Sequence, residues 1–357
     1  MNDIEDIRRK INEADGQLLA LLNERAKLAL QIKNTSGGKA PIRPEREIEI
    51  IRRLSKDNLG PMTDEAVRSI FTQIISSFRD QLQLDRPLSV GYLGPEGTYS
   101  EEAAKKLFGD TVDLRPEATI TSVFRDVQAG TTQLAVVPIE NSSEGAVRET
   151  HSLLLKTDVR IVSEISLPIV HCLLSKNKDF SGIKRVYAHP QALGQCRVWL
   201  AEHLPNAVLV PQKSNASAAQ MAAGTKEGAA IAAKKTAEIY GLNILETAIN
   251  DQPNNSTRFL ALANLTTKPT GHDKTSMICV TKDKPGALYE LLGVLAEHEI
   301  SMTRLESQPY EQGQYAFYID FAGHRDDGPV GQALAKIDGL AKICKVLGSY
   351  PRELNKK

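Results

Sequence analysis

The sequence predicts a multidomain chain of α and α/β type: an all-α N-terminal domain, a β/α middle domain and a C-terminal βαββαβ unit. Three observations carry that prediction. Up to about residue 82 every apolar pattern has helical periodicity. After Asp85-Arg86-Pro87, short apolar runs alternate with helical stripes, as in βα units. After Thr266-Thr267-Lys268-Pro269-Thr270-Gly271 the order of runs becomes βαββαβ, the ferredoxin-like plan. The boundaries are placed at 1–86, 88–265 and 274–351.

Composition excludes several classes of function. With 357 residues, 41% hydrophobic and 25% charged, the chain can bury a core in each of two or three domains. Lys plus Arg and Asp plus Glu both number 44, so no long-range field gathers nucleic acid or an anionic membrane, and neither partner is expected. The four cysteines (Cys172, Cys196, Cys279, Cys344) are far apart and show no metal-ligand spacing. A disulfide framework and a zinc site are therefore not expected, and a cytoplasmic location fits. The N-terminus is charged and helical instead of signal-like, and no apolar run approaches the roughly 20 residues of a membrane span.

The first helix is predicted from residue 3 to about 34. Its heptad seam runs Ile4, Ile7, Ile11, Ala14, Leu18, Leu21, Arg25, Leu28 and Ile32. Arg25 is the only charged residue in that stripe, so it either snorkels out or meets an anion there. A rod of roughly 45 Å is too long for a compact monomer, which predicts a partner helix and a homodimer or higher homo-oligomer. Pro44 opens a second helix with the stripe Ile48, Ile51 and Leu54, and Leu59-Gly60-Pro61 stops it. Thr63 caps a third, with Val67, Ile70, Phe71, Ile74, Ile75 and Phe78 as its buried face.

Ile7-Arg8 and the block Leu18 to Arg25 resemble the first helix of the all-helical chorismate mutases, over about the first 85 residues. That resemblance implies that Arg8 and Arg25 hold the substrate's two carboxylates, one of them reaching over from a partner subunit, and that Arg46 and Glu47 join them. Ser36 falls where the family has a lysine, so Lys33 is the candidate, with Lys39 the alternative. Phe78 and Leu82 stand at the family's serine and glutamine positions unless one residue is deleted, which restores Ser77 and Gln81. The alternative is a helical dimerisation domain without chemistry.

In the middle domain, Leu88 to Leu93 reads as a strand, Gly94 to Tyr99 as a glycine-containing loop, and Ser100 as the cap of a helix. Loop and helix N-terminus make a candidate anion site that matches no dinucleotide or Walker motif, and no cofactor is expected. Leu134 to Ile139 is apolar throughout, as in a central strand, and delivers Glu140-Asn141-Ser142 at its C-terminal end, where open α/β sheets bind ligands. His189-Pro190-Gln191 starts a helix with Gln191 and Gln195 one turn apart. Ser214-Asn215 caps an alanine-rich helix. Asn254 to Thr257 feeds Arg258 and the apolar run Phe259 to Ala263. Those residues alone favour a strand entry carrying a surface arginine.

The ordered set reverses that preference. Leu93 to Ser100, Val137 to Ser142, His189-Pro190-Gln191 and Asn255 to Phe259 resemble prephenate dehydratases of the P-protein family, and do so in the family's order. The resemblance implies a two-lobed, periplasmic-binding-protein-like fold with its site between the lobes, and loss of CO2 and hydroxide from prephenate. It assigns Thr257 the hydrogen bond to the leaving hydroxyl; a threonine is a poor acid, so its part is stabilisation of developing charge. Glu140 is the alternative proton source if buried, Arg258 a candidate carboxylate anchor, and Asn141, Gln191, Thr98 and Ser142 complete the shell.

In the last domain, Gly286-Ala287-Leu288 and Leu305-Glu306-Ser307-Gln308-Pro309 resemble the amino-acid-binding motifs of ACT regulatory domains. Gly286 at a helix N-terminus leaves backbone N–H groups free for an effector carboxylate. The resemblance implies phenylalanine as the effector, with Gly286, Ala287, Leu288, Glu306 and Ser307 around it; Gln308 replaces the family's arginine. The expectation is a bifunctional enzyme that takes chorismate to prephenate and then to phenylpyruvate under phenylalanine control. The rivals are a dehydratase with a purely dimerising helical domain and a non-catalytic small-molecule sensor.

Overall fold

The computed structural model describes residues 2–35, 42–82, 87–311 and 313–353, apart from the side chains of residues 2, 3, 33 and 80–82. Three helices open the chain: α1 (Asn2–Thr35), α2 (Pro44–Asp57) and α3 (Asp64–Leu82). Pro44 sits in the first turn of α2, and the Thr63 hydroxyl accepts from the Ala66 N–H at 3.1 Å, so both expected start signals act. On α3, Val67 and Ile75 are buried, whereas Ile70 is exposed. Along α1 the large apolar residues of the seam face outward: Ile4, Ile7, Ile11, Leu18, Leu21, Leu28 and Ile32 are each half or more exposed in a single chain.

The middle domain has two lobes. The first contains β1 (Ser89–Leu93), α4 (Tyr99–Phe108), β2 (Asp113–Glu117), α5 (Ile120–Ala129), β3 (Leu134–Asn141), β4 (Gly145–Ala146), α6 (Arg148–Lys156) and β5 (Arg160–Pro168). The chain crosses to the second lobe through β6 (Cys172–Ser175), β7 (Arg185–Ala188), α7 (Pro190–Gln195), α8 (Arg197–His203), β8 (Val208–Pro211), α9 (Asn215–Ala223), β9 (Gly228–Ala232), α10 (Lys234–Tyr240) and β10 (Asn243–Glu246). It then returns as β11 (Ser256–Ala263). Sheet orders are β2-β1-β3-β11-β5, with β4 on β3, and β10-β6-β9-β7-β8. β3 is central and covered on both faces, as its uninterrupted apolar run requires. The α9 cap is a reciprocal Ser214–Ser217 capping box. The α4 cap is Thr98, not Ser100: the Thr98 hydroxyl accepts from Glu101 N–H and donates to Leu93 O.

The last domain is β12 (Asp273–Val280), α11 (Ala287–Glu297), β13 (Met302–Pro309), β14 (Tyr315–Ala322), α12 (Gly328–Leu340) and β15 (Ile343–Pro351), in the antiparallel order β13-β14-β12-β15. Its two helices cover one face through Met277, Cys279, Leu291, Ile319 and Phe321. The other face packs on the first lobe: Ile278, Val280, Tyr318 and Leu347 share a core with Leu154, Ile161 and Leu260. Gly348 lies where β15 meets β5 so closely that a Cβ there would overlap the Ile161 backbone. The helical domain also docks on this lobe, through Ser76 Oγ to Thr111 Oγ1 at 2.6 Å and Arg79 to the Phe108 carbonyl at 3.4 Å. No described helix is long and apolar enough to cross a membrane, and the described residues contain no metal-binding cluster of three or more His, Cys, Asp or Glu.

Candidate active site

Three segments converge at one edge of the first sheet: the C-terminal ends of β1 and β3 and the start of antiparallel β11. Thr257 pairs with Asn141 and Arg258 with Glu140, but Phe259 pairs with Pro138, so Ile139 is a bulged residue. The bulge inverts the alternation of β3. Val137 and Ile139 point into the core shared with the last domain, and Asn141 comes out on the opposite face, beside Thr257.

Asn141 is the hub of a polar network whose polarity can be read from its backbone partners. Its Oδ1 accepts from the N–H groups of Ser143 at 3.0 Å and Glu144 at 3.2 Å, and from Ser143 Oγ at 2.6 Å. Backbone amides only donate, so the Nδ2 end is the one that faces Thr257 Oγ1 at 2.8 Å. The threonine oxygen is thus an acceptor in this contact, and its own O–H remains for something else. Asn141 Nδ2 also reaches Asn255 Oδ1 at 3.1 Å, which accepts from Ser142 Oγ at 3.3 Å as well. Asn255 Nδ2 then donates to Gln195 Oε1 at 3.1 Å, and Gln195 Nε2 donates to Ser143 Oγ at 2.7 Å. Asn141 and Asn255 are buried, so each amide needs these partners. The second lobe enters through Gln195 at the end of α7. It is also tied to the first where Thr236 Oγ1 donates to Gly97 O at 3.0 Å, in the loop that leads to Thr98.

Glu140 and Arg258 lie on the other face, a correction to their expected roles. Glu140 meets Arg304 of β13 at 3.3 Å and is about one-third exposed, so it is no buried acid in the cleft. Arg258 pairs with Glu164 at 2.7 Å and Asp320 at 2.7 Å and donates to Tyr350 Oη at 3.0 Å. Burial opposes its charge, yet Tyr350, Asp320 and Glu164 together hold its pKa above the ordinary value. The guanidinium seals the joint between the two domains. The Gln191 side chain makes no hydrogen bond among the described residues, and its glutamine partner one turn on carries the contacts.

In the helical domain, Arg25 is half-buried with its guanidinium 4.8 Å from the centre of the Phe78 ring. Burial lowers its pKa while Glu47 raises it. Glu47 in turn pairs with Arg79 at 2.6 Å; burial pushes its carboxyl up and Arg79 opposes that shift. Arg25, Glu47 and Arg79 therefore form one charged group. Arg46 points away, towards Glu49 at 3.4 Å, and Arg8 is exposed on α1. The side chains of Lys33 and Gln81, and residues Ser36 and Lys39, lie outside the described residues.

In the last domain Gly286 caps α11 with φ +78, the left-handed region that glycine tolerates, and Ala287 and Leu288 form the first turn. Ser307 is exposed. Glu306 pairs with Arg304, the residue that also meets Glu140. Gln308 Nε2 is buried without a partner.

Three family models match in order: chorismate mutase type II over residues 7–83, prephenate dehydratase over 90–267 and the ACT domain over 275–339. A bifunctional chorismate mutase/prephenate dehydratase from Pseudomonas aeruginosa is 42% identical, covering 98% of this chain and 98% of its own. This chain belongs to the bifunctional chorismate mutase/prephenate dehydratase family. Among solved structures, a prephenate dehydratase from Arthrobacter aurescens in complex with L-Phe is 36% identical, with a TM-score of 0.69 over 74% of this chain and 90% of that one. GqqA, described as a quorum quenching acylase, is 30% identical, with a TM-score of 0.67 over 74% of this chain and 98% of that one. The chain shares its scaffold with a protein described as an acylase, so site chemistry has to carry the assignment of residues. Sequence reasoning passed over Ser143, Asn255 and Arg79 in this family member and set Gln191 above Gln195. The signal available is modest: Asn255 opens the run Asn255 to Phe259, and Gln195 lies one helical turn from Gln191.

Proposed function

We propose that the helical domain rearranges chorismate to prephenate and that the interlobe cleft converts prephenate to phenylpyruvate, CO2 and water. In the second reaction the ring–carboxylate bond breaks, its electron pair enters the ring, and the C–O bond opposite releases hydroxide, which takes a proton. The observation that carries this reading is the Asn141–Thr257 contact at 2.8 Å, with Asn141 held by two backbone N–H groups. It turns the Thr257 hydroxyl into a committed acceptor on one side, which leaves its hydrogen for the departing oxygen. Asn141, Ser142, Ser143, Asn255 and Gln195 complete that wall, and Thr98 contributes mainly by capping α4.

Arg25, with Arg8 of a second copy, holds the carboxylates of chorismate, and Glu47 and Arg79 fix Arg25 in place. The exposed apolar seam of α1 supports a homodimer built through that helix. Phenylalanine binds at Gly286 and the first turn of α11, and lowers dehydratase turnover. The four cysteines are all free thiols, which suits the cytoplasm. The test is to supply purified protein with chorismate and follow both chorismate loss and phenylpyruvate gain. Loss without gain leaves a mutase alone; conversion of added prephenate but not chorismate leaves a dehydratase on a dimerising domain.

A further inference from the structure

His171 lies on the crossover between β5 and β6, is almost wholly buried, and belongs to no motif discussed above. Its backbone is fixed from both directions: its N–H donates to Asn250 Oδ1 at 2.7 Å and its carbonyl accepts from Ile249 N–H at 3.0 Å. Its ring stands edge-on to Tyr99 at 6.5 Å, and the Tyr99 hydroxyl donates to the neighbouring Val170 carbonyl at 2.7 Å. The imidazole Nε2 is 2.9 Å from Gln195 Oε1, and Nδ1 is buried without a partner.

The network polarity settles which nitrogen holds the proton. Backbone N–H groups orient Asn141, which orients Asn255, which places the oxygen of Gln195 towards both Asn255 Nδ2 and His171. A carbonyl oxygen only accepts, so Nε2 carries the hydrogen and Nδ1 is a bare acceptor. Leaving a buried acceptor unpaired is unfavourable, and an apolar ring would fill the same space without that penalty. The histidine is therefore placed for its Nε2–H.

We propose that His171 is a positioning residue of the dehydratase site, acting through Gln195: it pins the amide oxygen so that the NH2 group stays turned towards Ser143 and the substrate. This rests on the cleft reading given above. Without the Nε2–H, the Gln195 amide loses one of its two donors at Oε1, and rotation of that amide would set oxygen against the Ser143 hydroxyl. Because the anchor sits on an interlobe crossover, it keeps a second-lobe side chain in register with first-lobe groups.

The experiment measures steady-state prephenate turnover by the full chain carrying His171→Phe, which keeps a flat ring, and His171→Gln, whose amide nitrogen reaches the position of Nε2. The expected result is a fall of about tenfold in dehydratase kcat for His171→Phe, in keeping with the sensitivity of catalysis to small misplacements. KM should stay within about twofold, mutase turnover of chorismate should be unchanged, and His171→Gln should return to within about threefold of wild type. If His171→Phe does not fold, His171→Gln is compared with His171→Asn, whose shorter arm cannot reach Gln195 and should be the slower. Wild-type kcat in His171→Phe overturns the proposal, and so does equal impairment of the Gln variant and its non-donating or shorter counterpart. Thr257→Ala, measured alongside, separates the two levels: wild-type turnover there overturns the cleft reading itself, whatever the His171 variants do.

Discussion

Thr257 and Arg258 are adjacent in the sequence and face opposite ways. The hydroxyl meets Asn141 in the cleft, and the guanidinium meets Glu164, Asp320 and Tyr350 in the joint with the last domain. Their substitutions should therefore fail differently. Thr257→Ala is expected to lower dehydratase kcat at least about tenfold while leaving the denaturation midpoint near wild type, since it removes one donor to a developing charge. Arg258→Ala is expected to destabilise the protein by about 3–5 kcal/mol, because buried Asp320 loses its paired cation and buried Glu164 is left with Lys274 alone. Urea titration checks it; unchanged stability with a raised KM for prephenate would return Arg258 to the cleft. That Thr257 and Asn141 stand together could be expected from the sequence, because both belong to one ordered set of motifs. The arginine was misread because identity and spacing do not say which face of a strand a side chain takes. Glu140 was misplaced for the same reason.

At the scale of elements, most of the fold could be read from caps, linkers and apolar runs: Pro44, Thr63 and Ser214 open helices as expected, and the βαββαβ order of the last domain holds. The short segments β2, β8, β10 and α6 offered too little periodicity to place. The bulge at Ile139 left no mark either, since every residue from Leu134 to Ile139 is apolar and alternation has nothing to count. That one extra residue is nonetheless what brings Asn141 to Thr257. Backbone closeness is another hidden feature. Gly348→Ala places a methyl group against the Ile161 backbone, so β15 should separate from β5. The expected outcome is faster limited proteolysis across residues 264–272 and a weakened response to phenylalanine. Resistance to cleavage equal to wild type would show that the joint tolerates the methyl group.

For the whole molecule, acid should loosen the same joint. His151 on α6 is buried against the Tyr318 ring, 4.2 Å away, and burial takes its pKa down to about 4. Glu306 and Asp320 favour its charge, Arg304 opposes it, and all three come from the last domain. A histidine with a folded pKa below its unfolded value leaves stability untouched well above pH 6.5 and subtracts from it as pH falls through 6.5 towards 4. At pH 5 the loss is about 2 kcal/mol. Melting temperature measured at pH 7.5 and 5 should fall less for His151→Phe than for wild type; equal falls would remove His151 as the cause. Titration of phenylalanine against dehydratase rate tests the regulatory reading directly, and a flat curve would end it.

β11 has a further consequence for how this enzyme can change. One ribbon of eight residues faces the proposed cleft through Thr257 on one side and the joint with the last domain through Arg258 on the other, so a shift of that strand moves both. Substitutions at Arg258, or at its partners Asp320 and Tyr350, should therefore cost the protein stability before they change its response to phenylalanine. Substitutions that change only that response should instead collect at the start of α11.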